Sequence, residues 1–268
     1  MNNAYYNLSC NPFDKQELKE EDRFESKDHK TMIDTLNFLK EVRGIGVFTA
    51  SPGMGKTYAL RCFEKSLNQQ LYQMHYICLS TIAISEFYKA FCDCLNLDKI
   101  SGRAGMFKAI QERIYSMYKE KRRPLIIAID EAQYLNSDIL KDLKMLMNFH
   151  YDSLNCFTLI LCGEQYFNRT LEKPVHEALK QRILAHYTFN GLDPDEVPEY
   201  IYHKLAVAGG NRSIIGDDAV SSINGLSQGN PRLIDKLMTD ALMLGSQMKK
   251  QVIDAEVIMA AANAAALG

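Results

Sequence analysis

The residues Ala50-Ser-Pro-Gly-Met-Gly-Lys-Thr57 lie between an apolar run and a helix-forming stretch. Glycine at 53 and 55 lets the backbone turn so that its N–H groups point inward. A helix that starts at Lys56 adds the positive end of its dipole, and together these features hold phosphate oxygens. In such a turn Ser51, Pro52, Gly53, Met54, Gly55, Lys56, Thr57 and Tyr58 surround the phosphates of a nucleotide. Lys56 reaches the β- and γ-phosphates, and the Thr57 hydroxyl is a Mg²⁺ ligand. The general pattern is G-x-x-x-x-G-K-[ST]. Here Ala50 stands in place of its first glycine, which costs little while that residue keeps a negative φ.

Roughly 75 residues further on, Leu125-Ile-Ile-Ala-Ile runs into the two carboxylates Asp130 and Glu131. An apolar strand that ends in paired carboxylates suits phosphoryl chemistry. Asp130 is expected to hold Mg²⁺ directly or through water, and Glu131 to orient and deprotonate the attacking water. The competing role, a cap for the following helix, does not explain why the pair follows an apolar strand and accompanies the Lys56 turn. Because Glu131 is neither Gln nor Ala, hydrolysis is favoured over binding alone.

The elements that must position these residues can be read from hydrophobic period. Helices are expected over His29–Glu41, Ile84–Leu97, Met106–Lys119 and Ser137–Phe149. Strands are expected at Val47–Ala50, Tyr76–Leu79, Leu125–Asp130 and Thr158–Leu161. Strands that alternate with helices and read as apolar runs predict a doubly covered parallel sheet, an α/β fold with helices on both faces. Beyond Asn190 only helical patterns follow: Val197–Ala208, Asp217–Ser227, Pro231–Met248 and Asp254–Ala265. The boundary is therefore drawn at 190, with an α/β domain and its N-terminal extension over 1–190 and a small helical domain over 191–268.

Composition narrows the function classes. The 268 residues carry 31 Lys+Arg against 33 Asp+Glu, a formal charge of −2, which excludes holding nucleic acid by bulk positive charge but leaves room for a local basic patch. The opening MNNAYYNLSCNPFDKQ has neither the basic nor the apolar region of a secretory signal, and no run approaches the about 18 apolar residues of a membrane span. Seven cysteines without a CxxC pair read as reduced thiols, so a cytoplasmic protein without a membrane partner is expected. The run Lys119, Lys121, Arg122 and Arg123 reads as a solvated helix end.

The whole set resembles the AAA+ ATPases, and within them the ExeA/TniB/TnsC-like group, whose core is similar to initiator and helicase-loader ATPases. The resemblance runs from Tyr5-Tyr-Asn-Leu-Ser-Cys-Asn-Pro-Phe13 through Ser26-Lys-Asp-His29, the loop ASPGMGKT and the strand LIIAIDEAQ. It continues at Leu161-Cys-Gly-Glu-Gln165, Gln181-Arg-Ile183, Glu199–Leu205 with Ala208-Gly209, and Gly229-Asn-Pro-Arg-Leu-Ile234. It implies ATP and Mg²⁺ as cofactors. It also implies Arg182 as the arginine finger that reaches the γ-phosphate of a neighbouring subunit, and Arg232 as the sensor arginine of a helical lid. Glu164 or Gln165 falls near the first sensor position, and Pro12 and Phe13 either pack on the adenine or anchor the N-terminus. A finger acting between subunits implies an ATP-favoured ring or helical filament.

Members of that group do different jobs. The secretion-type ATPases carry a membrane span and a peptidoglycan-binding region beyond the core, and neither occurs before Gly268. The expectation is therefore the transposition type: an ATPase that oligomerises on double-stranded DNA and engages a transposase. A scaffold or signalling ATPase and a helicase loader are the alternatives. In the resembled ATPases the region of Lys99, Arg103 and Lys108 faces DNA, and a solvated basic loop is an equal reading of those residues.

Overall fold

The computed structural model describes residues 3–14, 22–78, 83–97 and 100–266; Leu79, at the end of an expected strand, and Lys99 lie outside them. Their contacts divide the chain into two compact units. One comprises residues up to Lys30, Gly53–Gly55 and Asn190 onward; the other comprises Thr31–Pro52 and Lys56–Phe189. In order, the elements are α1 (Lys27–Val42), β1 (Ile45–Thr49), α2 (Lys56–Ser66), β2 (Gln73–Cys78), α3 (Ile84–Cys94), α4 (Arg103–Lys119), β3 (Leu125–Asp130) and α5 (Ser137–Leu146). There follow β4 (Phe157–Gly163), α6 (Phe167–Leu171), α7 (Glu177–Lys180), β5 (Ile183–Thr188), α8 (Glu196–Val207), α9 (Asp217–Ser227), α10 (Pro231–Gln247) and α11 (Ala255–Ala266).

The sheet runs β2-β3-β4-β1-β5, with every pairing parallel. This is the α/β arrangement that the strand–helix alternation predicts. Every residue of β1, β3 and β4 is buried, as central strands covered on both faces require. Successive side chains alternate between faces. Val47, Ile127, Ile129, Leu159 and Leu161 pack with Phe87 and Phe91 of α3, Ile110 and Ile114 of α4, and Ile139 and Leu143 of α5. On the opposite face a Cβ at Gly46 would run into the Leu39 side chain, so α1 lies close over β1 there.

The edge strands depart from the apolar template. β2 starts at Gln73, three residues before the expected Tyr76, and β5 was not anticipated at all. Their sequences, Gln-Met-His-Tyr-Ile-Cys and Ile-Leu-Ala-His-Tyr-Thr, mix polar and apolar residues because an edge strand has less of its surface covered.

The other unit is built on α8–α11, with Val197, Ile201, Leu205, Ile223, Met238 and Ile258 at its centre. Tyr6, Leu8 and Phe13 join that core, so the N-terminal segment is held by these helices, although the boundary drawn at 190 groups it with the other part of the chain. The Tyr6 hydroxyl donates to the Lys250 carbonyl at 3.1 Å, and the Ser9 N–H donates to the Ala208 carbonyl at 3.0 Å. The Asn230 side chain caps α10 by accepting from the N–H groups of Arg232 and Leu233, and Pro231 follows at the first helical position. The Asp28 carboxylate accepts from the N–H groups of Asn190 and Gly191 at 2.8 and 2.9 Å.

Gly229 sits where these connections cross. Its φ is +73°, its carbonyl accepts the Leu192 N–H at 2.8 Å, and a Cβ there would collide with the Leu192 carbonyl oxygen. Gly229→Ala is expected to lower unfolding stability by about 1–3 kcal/mol, since both the backbone conformation and the close approach oppose it. Denaturant unfolding checks this, and an unchanged midpoint refutes it.

Candidate active site

The phosphate-loop residues follow β1, and the carboxylate pair closes β3. In a parallel sheet all strands end on the same edge, so both reach that edge. β4, paired to β1 on one side and β3 on the other, lies between them. The chain leaves β1 by α2 toward β2, and leaves β4 in the other direction toward β5. Such a reversal beside carboxyl strand ends is where open α/β sheets form a ligand crevice.

The loop carries its two glycines in conformations that L side chains avoid, with φ of +91° at Gly53 and +97° at Gly55. The Lys56 ammonium donates to the Ala50 carbonyl at 3.0 Å. Among the described residues it has no carboxylate within ion-pair distance. Burial lowers its pKa, against the weaker pull of Cys162, Asp130, Glu131 and Glu164. A half-buried cation without a counter-ion is the partner a phosphate needs. Thr57, the second residue of α2, donates its hydroxyl to Asp130 Oδ2 at 2.7 Å. A hydroxyl and a carboxylate already in contact are the hard oxygen donors that suit Mg²⁺. These residues therefore fit a magnesium nucleotide.

Two further side chains join this set without having been singled out in the sequence. Tyr76 of β2 pairs in register with Ala128 of β3 and therefore projects from the same face as Ala128 and Asp130. Its hydroxyl donates to Asp130 Oδ2 at 2.8 Å, and burial, followed by that bond, raises its pKa. No local pattern in the sequence marks it; only the β2–β3 register does. Gln133 lies one turn beyond the carboxylates and was legible as the last letter of LIIAIDEAQ. Its amide nitrogen donates to Glu131 Oε2 at 2.5 Å, and its oxygen accepts the Glu164 N–H at 3.0 Å. Gly163 leaves room for it, because a Cβ there would sit 3.0 Å from Gln133 Oε1. Glu131 itself adopts φ +57°, and its N–H is held by Asp130 Oδ1 at 2.9 Å. The sharp turn aims the two neighbouring carboxylates in different directions.

The remaining expected site residues are distributed as follows. Ser51, Met54 and Tyr58 are half-buried, and Pro52 is exposed. Arg232 is exposed, and its Cβ lies where a side chain at Gly53 would have to go, so the α10 start lies against the phosphate-loop glycine. Phe13 belongs to the helical core and carries the Lys204 ammonium 5.4 Å from its ring centroid, and Pro12 is buried beside it. Glu164 is half-buried directly after β4, and Gln165 is exposed.

Arg182 lies between α7 and β5 and pairs with Asp152 at 2.5 Å. Arg103 forks onto Asp142, which also accepts the Tyr88 hydroxyl at 2.7 Å, and so ties α4 and α3 to α5. Lys108 faces Glu112 one turn on at 3.7 Å. Both expected DNA contacts among the described residues thus already hold carboxylates of their own chain.

Residues 39–171 match the AAA domain family (AAA_22). General secretion pathway protein A of Aeromonas hydrophila is 28% identical over 240 residues, which span 88% of this chain and 44% of that protein. Cdc6p of Pyrobaculum aerophilum superimposes with a TM-score of 0.68 at 14% identity, over 90% of this chain and 67% of that one. The ORC1 protein of Aeropyrum pernix, solved in complex with DNA, gives 0.61 at 15% identity, over 97% and 68%. The two structures share the fold, a P-loop AAA+ sheet. Among the described residues no helix is long and apolar enough to cross a membrane, and no group of His, Cys, Asp or Glu forms a separate metal cluster.

The Arg182–Asp152 pair is one-fifth exposed on the arginine and half exposed on the aspartate. Pairs so open to solvent contribute little. Arg182→Ala is expected to change unfolding stability by less than about 1 kcal/mol in thermal or denaturant melts. A larger loss would assign Arg182 to the framework.

Proposed function

We propose that this chain, whose residues 39–171 match the AAA domain family, is a Mg²⁺-dependent ATPase that couples hydrolysis to its own assembly on DNA. The observation that carries the hydrolytic reading is the contact of Thr57 with Asp130 beside the uncompensated Lys56. In this reading the loop 51–58 and Lys56 hold the phosphates, and Thr57 and Asp130 hold Mg²⁺. Bound there, the metal neutralises charge that develops on the phosphoryl oxygens. Glu131 takes the proton of the attacking water, after releasing the Gln133 amide that now occupies it. Arg232 is the sensor arginine that reports the nucleotide state to the helical lid. Arg182 leaves Asp152 for the γ-phosphate of a neighbouring subunit, a contribution of about 10³–10⁵ in rate where such fingers act.

The DNA role and a transposase partner go further, and rest on the order of the later motifs. The likeness to an ORC1 protein solved with DNA supports a DNA-bound assembly. A second reading, a secretion-type ATPase module, is favoured by the similarity to General secretion pathway protein A. Electron microscopy of the chain with duplex DNA and a non-hydrolysable ATP analogue separates the two. Rings or filaments on DNA support the first reading, and nucleotide-dependent assembly that ignores DNA supports the second.

Lys56→Ala is expected to abolish ATP binding in calorimetry, and retained binding removes the phosphate-loop assignment. Arg182→Ala is expected to bind ATP normally while hydrolysis falls by about 10³-fold or more. Mixing it with the Lys56→Ala chain, whose Arg182 is intact, should restore turnover. Failure to restore it rules out action between subunits.

A further inference from the structure

At the other end of the sheet, where β2 and β3 begin side by side with Gln73 opposite Leu125, lies a cavity of about 220 Å³. Its apolar floor is Leu95, Met117 and Leu125, and its polar wall includes His75, Arg113, Lys121 and Arg123. Five residue steps separate Leu125 from Asp130, about 16 Å at the usual rise, so this cavity is separate from the candidate active site. The run 119–123, which reads in sequence as a solvated helix end, therefore sends two of its cations to one place. Arg113 of α4 meets them there, and the strand residue His75 stands beside them.

The charges in this cavity are unbalanced. No carboxylate lines it among the described residues, and none forms an ion pair there with Arg113, Lys121 or Arg123. Among the described residues each guanidinium hydrogen-bonds only to a backbone carbonyl, Arg113 to that of Asn96 and Arg123 to that of Tyr72, both at 3.4 Å. Those contacts orient the guanidinium groups and leave most of their five donors unused. Burial, and then Arg123, pushes the His75 pKa down, so the wall already disfavours another positive charge. Three like charges around one concavity cost free energy that a bound anion recovers. Guanidinium forks match the tetrahedral oxygens of a phosphoryl group, and the volume is below the about 300–1,000 Å³ of pockets for larger ligands.

We propose that this cavity is a second anion site that binds the phosphoryl group of a small phosphate ester or pyrophosphate. It does not depend on the nucleotide reading of the Lys56 loop. The test is calorimetry with pyrophosphate on the full chain carrying Lys56→Ala, which removes phosphate binding at the loop. One equivalent should still bind, and adding Arg113→Gln or Arg123→Gln should weaken it about tenfold or more, with Arg123→Lys retaining part of the affinity. Circular dichroism and melting of each variant show that the fold is kept. No binding in the Lys56→Ala chain, or binding that ignores both glutamine variants, overturns the proposal. A short duplex oligonucleotide is the second probe. If it displaces pyrophosphate and its own binding falls with Arg123→Gln, the phosphoryl group belongs to a nucleic-acid backbone. If it does not, the ligand is a free ester.

Discussion

Hydrogen bonding of β4 to β1 on one side and β3 on the other fixes how far the Lys56 loop stands from Asp130. Neighbouring strands lie about 4.8 Å apart, so two intervals leave nearly 10 Å between the β1 and β3 ends. Thr57 spans that distance because α2 begins immediately after the loop, and its hydroxyl arrives at Asp130. Any change of strand order or register would separate the two halves of the candidate site. The fully buried side chains of β1, β3 and β4 hold the register, since a one-residue slip would turn their core residues to the wrong face.

Around that frame several charged groups have partners of their own chain, while Lys56 and the cationic cavity form no ion pair among the described residues. Asp130 collects hydroxyl donors from α2 and β2, Glu131 is held by Gln133, and Arg182 by Asp152. Lys56 donates only to a backbone carbonyl and is destabilised as a cation by burial. The cationic cavity at the opposite sheet end is likewise uncompensated. Both are sites of positive charge without an ion pair among the described residues. Glu131 and Arg182 are thus each held by a side chain of their own chain.

The glycine-rich loop, the apolar strand that ends in Asp130-Glu131 and the helical pattern beyond Asn190 were all readable in the sequence, because each is a local pattern of a few consecutive residues. The central strands were readable because burial on both faces makes them continuous apolar runs. β5 escaped because His186 and Thr188 break that run, and β2 was cut short because Gln73 and His75 do the same. Arg103 and Lys108 read as available basic residues. The Asp142 that holds Arg103 lies on another helix and gives no local sign of the pairing.

By itself, then, the sequence determined which chemistry to expect: a candidate loop for phosphates, a hydroxyl and a carboxylate suited to a metal, and a candidate base beside them. Those roles follow from residue type and from spacing within one turn or one strand. Only the tertiary structure decided which groups meet across long stretches of chain. Tyr76 reaches Asp130, Gln133 links Glu131 to the end of β4, and Arg113 joins Lys121 and Arg123 around one cavity. The physical reason is that parallel strand register and helix packing bring distant residues together, and no local period in the sequence records which ones.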